Sequence, residues 1–347
     1  MKNYTVALLG ATGAVGEEFL KLMEARDFPF GKLKLLASKR SAGTKLRVKG
    51  QAYVVEETTE TSFEGVDIAL FAGGSISETF APIAVRAGAV VIDNSSTFRM
   101  DPKVPLVVPE VNPEAIASHQ GIIANPNCST ILMVLALKPL YDIAKIKRVV
   151  VSTYQAVSGG GKEAMAELER QVADIAAGRS VTAEILPGAS LPKHYQIAFN
   201  LIPQIDVFKE NDYTKEEMKM IEETKKILSD PAMAITATTV RVPVYRSHAE
   251  SVNVEFLSEV SPEAAKKAIA SFPGLLLRDD PKEMEYPMPL FTSGQDEVEV
   301  GRLRKDETVP YGLNFWVCGD QIRKGAALNA LQIAEYMIDH GMIESKK

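Results

Sequence analysis

The chain has 347 residues, 46% of them apolar, which at about 150 residues per domain gives two domains with a sizeable core each and excludes disordered and fibrous classes. With 39 basic against 45 acidic residues the net charge is −6, so no basic field exists to hold a polyanion, and no nucleic-acid partner is expected. Two cysteines, Cys128 and Cys318, cannot build a disulfide framework, and no apolar run approaches the roughly 18 residues of a spanning helix, so the expectation is reduced thiols, a cytoplasmic setting and no membrane partner.

Residues 4–9 are apolar and β-rich, 10–16 are punctuated by glycine, and 17–24 show helical spacing through Phe19, Leu20 and Met23. This is strand, turn, helix; the apolar stretch after Lys2 is too short for a signal peptide. Residues 33–37, 67–72 and 89–92 read as further strands and 79–87 as a helix, an alternation that predicts a Rossmann-type, doubly wound parallel sheet. A short strand at 121–124 leads through Asn125-Pro126-Asn127 into a helix over 128–137, apolar on every side and therefore expected to be buried. Beyond it the strands at 146–154, 237–242, 252–257, 298–304 and 313–317 alternate as in a sheet with antiparallel pairs, separated in places by helices at 161–177, 214–228 and 262–272. The second domain is therefore expected to be α+β with a mixed sheet, followed by a last helix at 323–339.

Gly10-Ala11-Thr12-Gly13-Ala14-Val15-Gly16 follows a strand and opens a helix, so its bare N–H groups suit a pyrophosphate. The spacing is GxxGxxG rather than the commoner GxGxxG, and an ordinary glycine-rich turn is the alternative. No Asp or Glu ends the second strand to bind a ribose 2′-hydroxyl. Ser38, Lys39, Arg40 and Ser41 stand there instead and suit a 2′-phosphate, which favours NADP over NAD, a solvated basic turn being the other reading.

Cys128, in Asn-Pro-Asn-Cys-Ser-Thr, opens a helix whose dipole favours a thiolate; it is either a nucleophile or a small buried hydrophobe. Cys318, inside an apolar strand, reads as the latter. Of four histidines, His119, His194 and His340 lie in polar surroundings, whereas His248 follows a strand end and is either a cleft acid/base or a satisfied loop residue. Arg99, after the polar loop 94–98, and Arg241, in a strand, could each clamp carboxylate or phosphate oxygens. Thr214 and Glu217 form a capping box, and Glu216 and Lys219 share a helical face that is either ligand-binding or a salt-bridged solvent face. Ser158-Gly159-Gly160-Gly161 exposes its backbone after a strand, or serves as a hinge.

Together, Gly-Ala-Thr-Gly-Ala-Val-Gly, Leu-Ala-Ser-Lys-Arg-Ser-Ala-Gly, Asn-Pro-Asn-Cys-Ser-Thr, Gln155-Ala-Val-Ser-Gly-Gly-Gly, Glu-Glu-Met-Lys and Arg-Val-Pro-Val…His resemble the aspartate-semialdehyde dehydrogenase family, in its order and over the whole chain. The resemblance implies a glyceraldehyde-3-phosphate dehydrogenase-like fold, with residues 1–127 binding NADP(H), 322–347 packing back on them, and 128–321 forming a catalytic and dimerisation domain. It implies NADPH-dependent reduction of L-aspartyl 4-phosphate to L-aspartate 4-semialdehyde in lysine, methionine, threonine, isoleucine and diaminopimelate biosynthesis. Cys128 would form the thioester, His248 would be general acid/base, Gln155 would position the substrate, and Arg241 would bind its carboxylate. Arg99 and Lys219 would hold phosphate and Glu216 would face the amino group. Gly10, Thr12, Gly13, Ala14, Val15, Arg40, Ser41, Ser158, Gly159 and Gln321 would contact the cofactor, though some relatives carry Asn at the last position. No metal site is implied, and the assembly would be a homodimer or a dimer of dimers. Two rivals share parts of this pattern: N-acetyl-glutamyl-phosphate reductase, whose substrate lacks a free amine, and an NADP-binding sensor without turnover.

Overall fold

The computed structural model describes residues 4–343; the outermost parts of the expected domain ranges, 1–3 and 344–347, lie outside the described residues. Described residues up to Asn127 and from Gly325 form one compact unit, and Cys128–Lys324 form the other. Among the described residues no helix is long and apolar enough to cross a membrane.

The first unit contains β1 (Tyr4–Leu9), α1 (Ala14–Ala25), β2 (Phe30–Ala37), β3 (Lys45–Val48), β4 (Gln51–Glu57), β5 (Ile68–Phe71), α2 (Ser77–Arg86), β6 (Val90–Asp93) and β7 (Ile122–Ala124). The sheet order is β3-β4-β2-β1-β5-β6-β7, with every pair parallel except β3–β4. Because a parallel sheet is covered on both faces, its strands are apolar at consecutive positions. Val6 and Leu8 join a core with Phe19 and Met23 of α1 and with Leu331, Ala334 and Met337 of the C-terminal helix Leu328–Asp339. Ala7 and Leu9 point the other way, to Ala81 and Ala84 of α2. Strand order reverses at β1, which places a crevice beyond its C-terminal end.

The β3–β4 hairpin has no counterpart among the expected strands. Lys49 (φ 48°) and Gly50 (φ 76°) make its two-residue turn, and the signal for it is the alternation in Lys-Leu-Arg-Val and Gln-Ala-Tyr-Val-Val around that dipeptide.

The second unit comprises α3 (Cys128–Ile143), β8 (Ile146–Gln155), α4 (Lys162–Ala176), α5 (Lys215–Ile227), β9 (Ala234–Arg241), β10 (His248–Phe256), α6 (Pro262–Ser271), β11 (Leu275–Leu277), α7 (Pro289–Thr292), β12 (Val298–Asp306) and β13 (Gly312–Gly319). Its sheet runs β11-β12-β13-β10-β8-β9, mixing parallel pairs (β8–β9, β11–β12) with antiparallel ones. The first unit thus has the parallel α/β sheet, and the second the mixed sheet with helices, that the pattern of elements predicts.

Helix α3 continues beyond the expected end at 137. It runs on to Ile143, because Leu137, Pro139 and Leu140 are buried and each leucine gains about 1.5–3 kcal/mol from burial, which offsets a proline cost of about 3 kcal/mol. At α5 the capping box forms: Thr214 Oγ1 accepts from the N–H of Glu217 at 3.2 Å and Glu217 Oε2 accepts from the N–H of Thr214 at 2.7 Å. The other carboxylate oxygen accepts from the N–H of Thr239 at 2.9 Å, which ties the helix to β9.

Candidate active site

In the first unit, Gly10 (φ 84°) turns the chain out of β1, and Gly13 caps α1 with no side-chain hydrogen bond. A Cβ on Gly16 would strike the carbonyl of Gly10, so only glycine permits this close turn-to-helix packing. With Thr12, Ala14 and Val15, these residues present a helix N-terminus without a side-chain cap, which fits a nucleotide pyrophosphate. After β2, Lys39 and Arg40 are exposed and Ser41 partly so, on a single 3-10 turn that itself contains no acid.

Arg99 leaves the loop after β6 and is buried, its NH2 donating to the carbonyl of Asn94 at 2.7 Å. Asp93 shapes that loop by accepting from Ser77 Oγ (2.8 Å), Ser95 N–H (3.0 Å) and Ser95 Oγ (2.6 Å). Asn94 Oδ1 in turn accepts from Asn125 Nδ2 at 2.5 Å, and Asn125 Oδ1 accepts from Asn329 Nδ2 at 2.7 Å. Asn329 was not singled out in the sequence. It fixes the segment leading to Cys128, and its only sequence signal is an amide among the apolar residues that open the helix, Leu328, Ala330 and Leu331.

In the second unit, the sheet topology gathers the remaining candidates. β8 and β9 are parallel, with Gln155 opposite Arg241, and β10 runs antiparallel to β8, with Ala249 opposite Tyr154. The ends of β8 and β9 and the start of β10 therefore meet at one edge, bringing Gln155, Arg241 and His248 together, all buried. His248 is the first residue of a strand rather than part of a turn. Ser247 before it holds a left-handed φ of 79°, which costs energy and aims the following side chain.

One peptide group serves two of these side chains. The N–H of Ala156 donates to His248 Nδ1 at 3.1 Å, and its carbonyl accepts from Arg241 NH1 at 2.7 Å. Burial lowers the Arg241 pKa, while the charges of Glu216 and Cys128 oppose that fall. Cys128 is partly exposed at the head of α3, within electrostatic reach of Arg241. Burial first and Arg241 second bring the His248 pKa down to about 3, with Glu216 resisting.

Glu216 is buried rather than on a solvent face. It pairs with Lys219 at 2.9 Å, and its Oε1 lies 3.4 Å from Gln155 Nε2, which also reaches Thr153 Oγ1 at 3.3 Å. Lys219 also meets Asp206 at 3.4 Å. Gln321 is held at both ends of its amide: Nε2 donates to Ser158 Oγ and Oε1 accepts from the N–H of Ser247 at 2.9 Å. It braces Ser158 and the approach to His248. Cys318 is buried and hydrogen-bonded to Thr292 at 3.2 Å, and burial pushes its thiol up to about 12, which makes it inert.

The family described as semialdehyde dehydrogenase, NAD binding domain, matches residues 5–119, and the one described as semialdehyde dehydrogenase, dimerisation domain, matches 137–324. Aspartate-semialdehyde dehydrogenase of Aquifex aeolicus is 54% identical over 98% of this chain and 100% of its own. Aspartate semialdehyde dehydrogenase II from Vibrio cholerae, solved in complex with ASA, superposes with a TM-score of 0.92 at 47% identity, covering 98% of this chain and 99% of that one. The Candida albicans enzyme, solved with NADP, gives 0.75 at 25% identity, covering 99% and 100%. With its nucleotide-binding turn, its cluster at three strand ends and these likenesses, the chain belongs to the aspartate-semialdehyde dehydrogenases, oxidoreductases of amino-acid biosynthesis.

Proposed function

We propose that the chain reduces L-aspartyl 4-phosphate to L-aspartate 4-semialdehyde, with release of phosphate, through a thioester on Cys128. Run backwards, the reaction is the oxidative phosphorylation of the semialdehyde. The observation that carries this reading is the convergence of Arg241, Glu216, Gln155 and His248 at one sheet edge, with Cys128 within electrostatic reach of Arg241.

Cys128 is the nucleophile, favoured as thiolate by the helix N-terminus behind it and by the Arg241 cation. Arg241 has its NH1 fixed on Ala156, while its buried Nε has no partner among the described residues and suits a substrate carboxylate. Glu216 faces the substrate amine, the group that separates this reaction from N-acetyl-glutamyl-phosphate reduction. Gln155 positions the acyl group, Arg99 and Lys219 hold phosphate, and His248 is the acid/base group at the acyl oxygen. A bound nicotinamide dinucleotide supplies the hydride. Gly10, Thr12, Gly13, Ala14, Val15, Ser158, Gly159 and Gln321 hold it, and Arg40 and Ser41 bind the 2′-phosphate of NADP, a choice supported by the absence of an acid after β2. A cytoplasmic homodimer, or a dimer of dimers, built through residues 128–321 completes the reading, supported by two cysteines outside any disulfide and by the dimerisation family matched over 137–324.

The test is to add aspartate semialdehyde, phosphate and NADP⁺ and follow reduced-nicotinamide absorbance. A phosphate-dependent signal that is lost in Cys128→Ala, with nucleotide binding intact, is expected. A nucleotide-binding protein with no such signal, or a signal undiminished in Cys128→Ala, would refute the proposal.

A further inference from the structure

His248 opens β10 directly after a backbone position that few side chains tolerate. Ser247 has a φ of 79° although it is not glycine, and such a residue keeps that conformation only where its surroundings over-determine it. Hydrogen bonds supply the constraint. The N–H of Ser247 donates to Gln321 Oε1 at 2.9 Å, and its hydroxyl shares a hydrogen with Thr292 Oγ1 at 2.5 Å. The carbonyl of Arg246, one residue earlier, accepts from Ser293 Oγ at 3.1 Å.

One carboxylate gathers the segments that make these contacts. Asp320, fully buried just after β13, has both oxygens occupied. Oδ2 accepts from Arg246 Nε at 2.6 Å and from the N–H of Gly294 at 2.6 Å. Oδ1 accepts from the N–H of Ile322 at 3.0 Å and from that of Arg323 at 3.2 Å. The first oxygen therefore ties the residue before Ser247 to the loop that carries Ser293. The second fixes the backbone on the far side of Gln321, whose amide holds the N–H of Ser247. Bonds to an ionised acceptor are roughly twice as strong as neutral ones, so this node outweighs the hydroxyl contacts around it.

The ring that follows the turn has one nitrogen committed. Nδ1 accepts from the N–H of Ala156 at 3.1 Å, whereas Nε2 has no hydrogen-bond partner among the described residues and is left for proton transfer. Such transfer needs heavy atoms about 2.6–3.2 Å apart, and a misplacement of about 1 Å costs on the order of a hundredfold in rate.

Building on the acid/base role given to His248 above, we propose that Asp320 is a positioning residue for the reaction. Through Arg246 on one oxygen and the flank of Gln321 on the other, it holds Ser247 in its left-handed conformation and so sets His248 Nε2 at proton-transfer distance from the acyl oxygen. Asp320 acts only through His248. Its loss therefore falls on the rate of turnover and leaves Arg241 and Glu216 to bind substrate as before.

The experiment is steady-state kinetics of the full chain and of Arg246→Met, Arg246→Gln and Asp320→Asn, with aspartate semialdehyde, phosphate and NADP⁺, and melting temperatures measured in parallel. Methionine puts a methyl group where Nε stood, whereas the amide nitrogen of glutamine lies the same number of bonds from Cα and still donates to Asp320. Arg246→Met should lose about tenfold to a hundredfold in kcat with the KM for the semialdehyde within about twofold, and Arg246→Gln should recover most of that loss. Asp320→Asn, which accepts at only one of its two terminal atoms, should fall at least as far as Arg246→Met. A kcat within about twofold of the parent in a folded Arg246→Met, a KM raised as much as kcat is lowered, or a glutamine variant as slow as the methionine one overturns the proposal. Should Asp320→Asn not fold, the methionine and glutamine pair decides, because the Arg246 side chain is partly exposed and tolerates exchange.

A second readout needs no turnover. Diethyl pyrocarbonate modifies accessible imidazoles, and peptide mass mapping compares the fully buried His248 with the exposed His340. Modification of His248 relative to His340 should rise at least about fivefold in Arg246→Met as the ring comes loose from its pocket. Unchanged protection overturns the proposal. A parent chain that reduces no NADP⁺ in the presence of phosphate would refute the enzymatic reading instead, and the protection pattern would then still decide whether Asp320 and Arg246 hold the ring.

Discussion

Gly159 lies so close to Arg241 that a Cβ built on it would stand 2.7 Å from the guanidinium NH1, and 3.2 Å from both Cε1 and Nε2 of His248. The guanidinium cannot retreat freely, because NH1 is held on the carbonyl of Ala156. Gly159→Ala should therefore displace the guanidinium proposed to bind the substrate carboxylate. An overpacking strain of about 1–3 kcal/mol directed at the bound state corresponds to a KM for aspartate semialdehyde raised about tenfold or more. Steady-state kinetics with the melting temperature measured in parallel would check this; an unchanged KM in a folded variant would contradict it.

Arg241→Lys keeps the charge and loses the planar fork. A lysine cannot both satisfy the Ala156 carbonyl and meet a carboxylate side-on. The expected outcome is a KM for the semialdehyde raised roughly tenfold to a hundredfold, with a smaller effect on kcat, since each 1.4 kcal/mol of lost binding is about a factor of ten. Normal affinity would remove Arg241 from the substrate site.

Glu250 is fully buried, both carboxyl oxygens lack a hydrogen-bond partner among the described residues, and burial raises its pKa well above the ordinary 4.5. The folded chain keeps this proton where the unfolded chain has released it. The resulting penalty is absent below the ordinary pKa and grows as pH rises through it. Glu250→Gln, which keeps the shape without an acidic proton, should melt higher than the parent at neutral pH, with the difference vanishing as pH falls toward about 4. Thermal melts across that range would decide it, and a constant difference at all pH values would argue against a retained proton.

Arg40 is exposed on the turn after β2, where an NAD-specific site would carry an acid. Arg40→Ala should raise the KM for NADP⁺ about tenfold, the loss of one charge-assisted contact, and leave that for NAD⁺ little changed. Equal effects on both nucleotides would separate Arg40 from the 2′-phosphate.

What could be read in the sequence was local. The glycine turn, the capping box of Thr214 and Glu217 and the helix start at Cys128 each lie within a few residues, so spacing reveals them. Long-range pairing stayed hidden. His248 meets Ala156 only because β10 pairs antiparallel with β8, and no window around either residue contains that register. The buried position of Glu250 has the same origin: Glu250 alternates with Ala249 and Ser251, and which face is covered depends on the helices packed there. The β3–β4 hairpin was hidden by polar composition and by lysine in a turn position that asparagine or aspartate usually fills.

The C-terminal helix Leu328–Asp339 fills the same core as Val6, Leu8 and Phe19, and its Asn329 locks Asn125. The first unit therefore cannot close its core until the whole of the second, Cys128–Lys324, has been synthesised. Until Leu331, Ala334 and Met337 arrive, the β1 and α1 side of the nascent sheet exposes an unfilled apolar face, a natural client surface for chaperones. A chain cut before Leu328 could not bury that face, however complete its strand-end residues are.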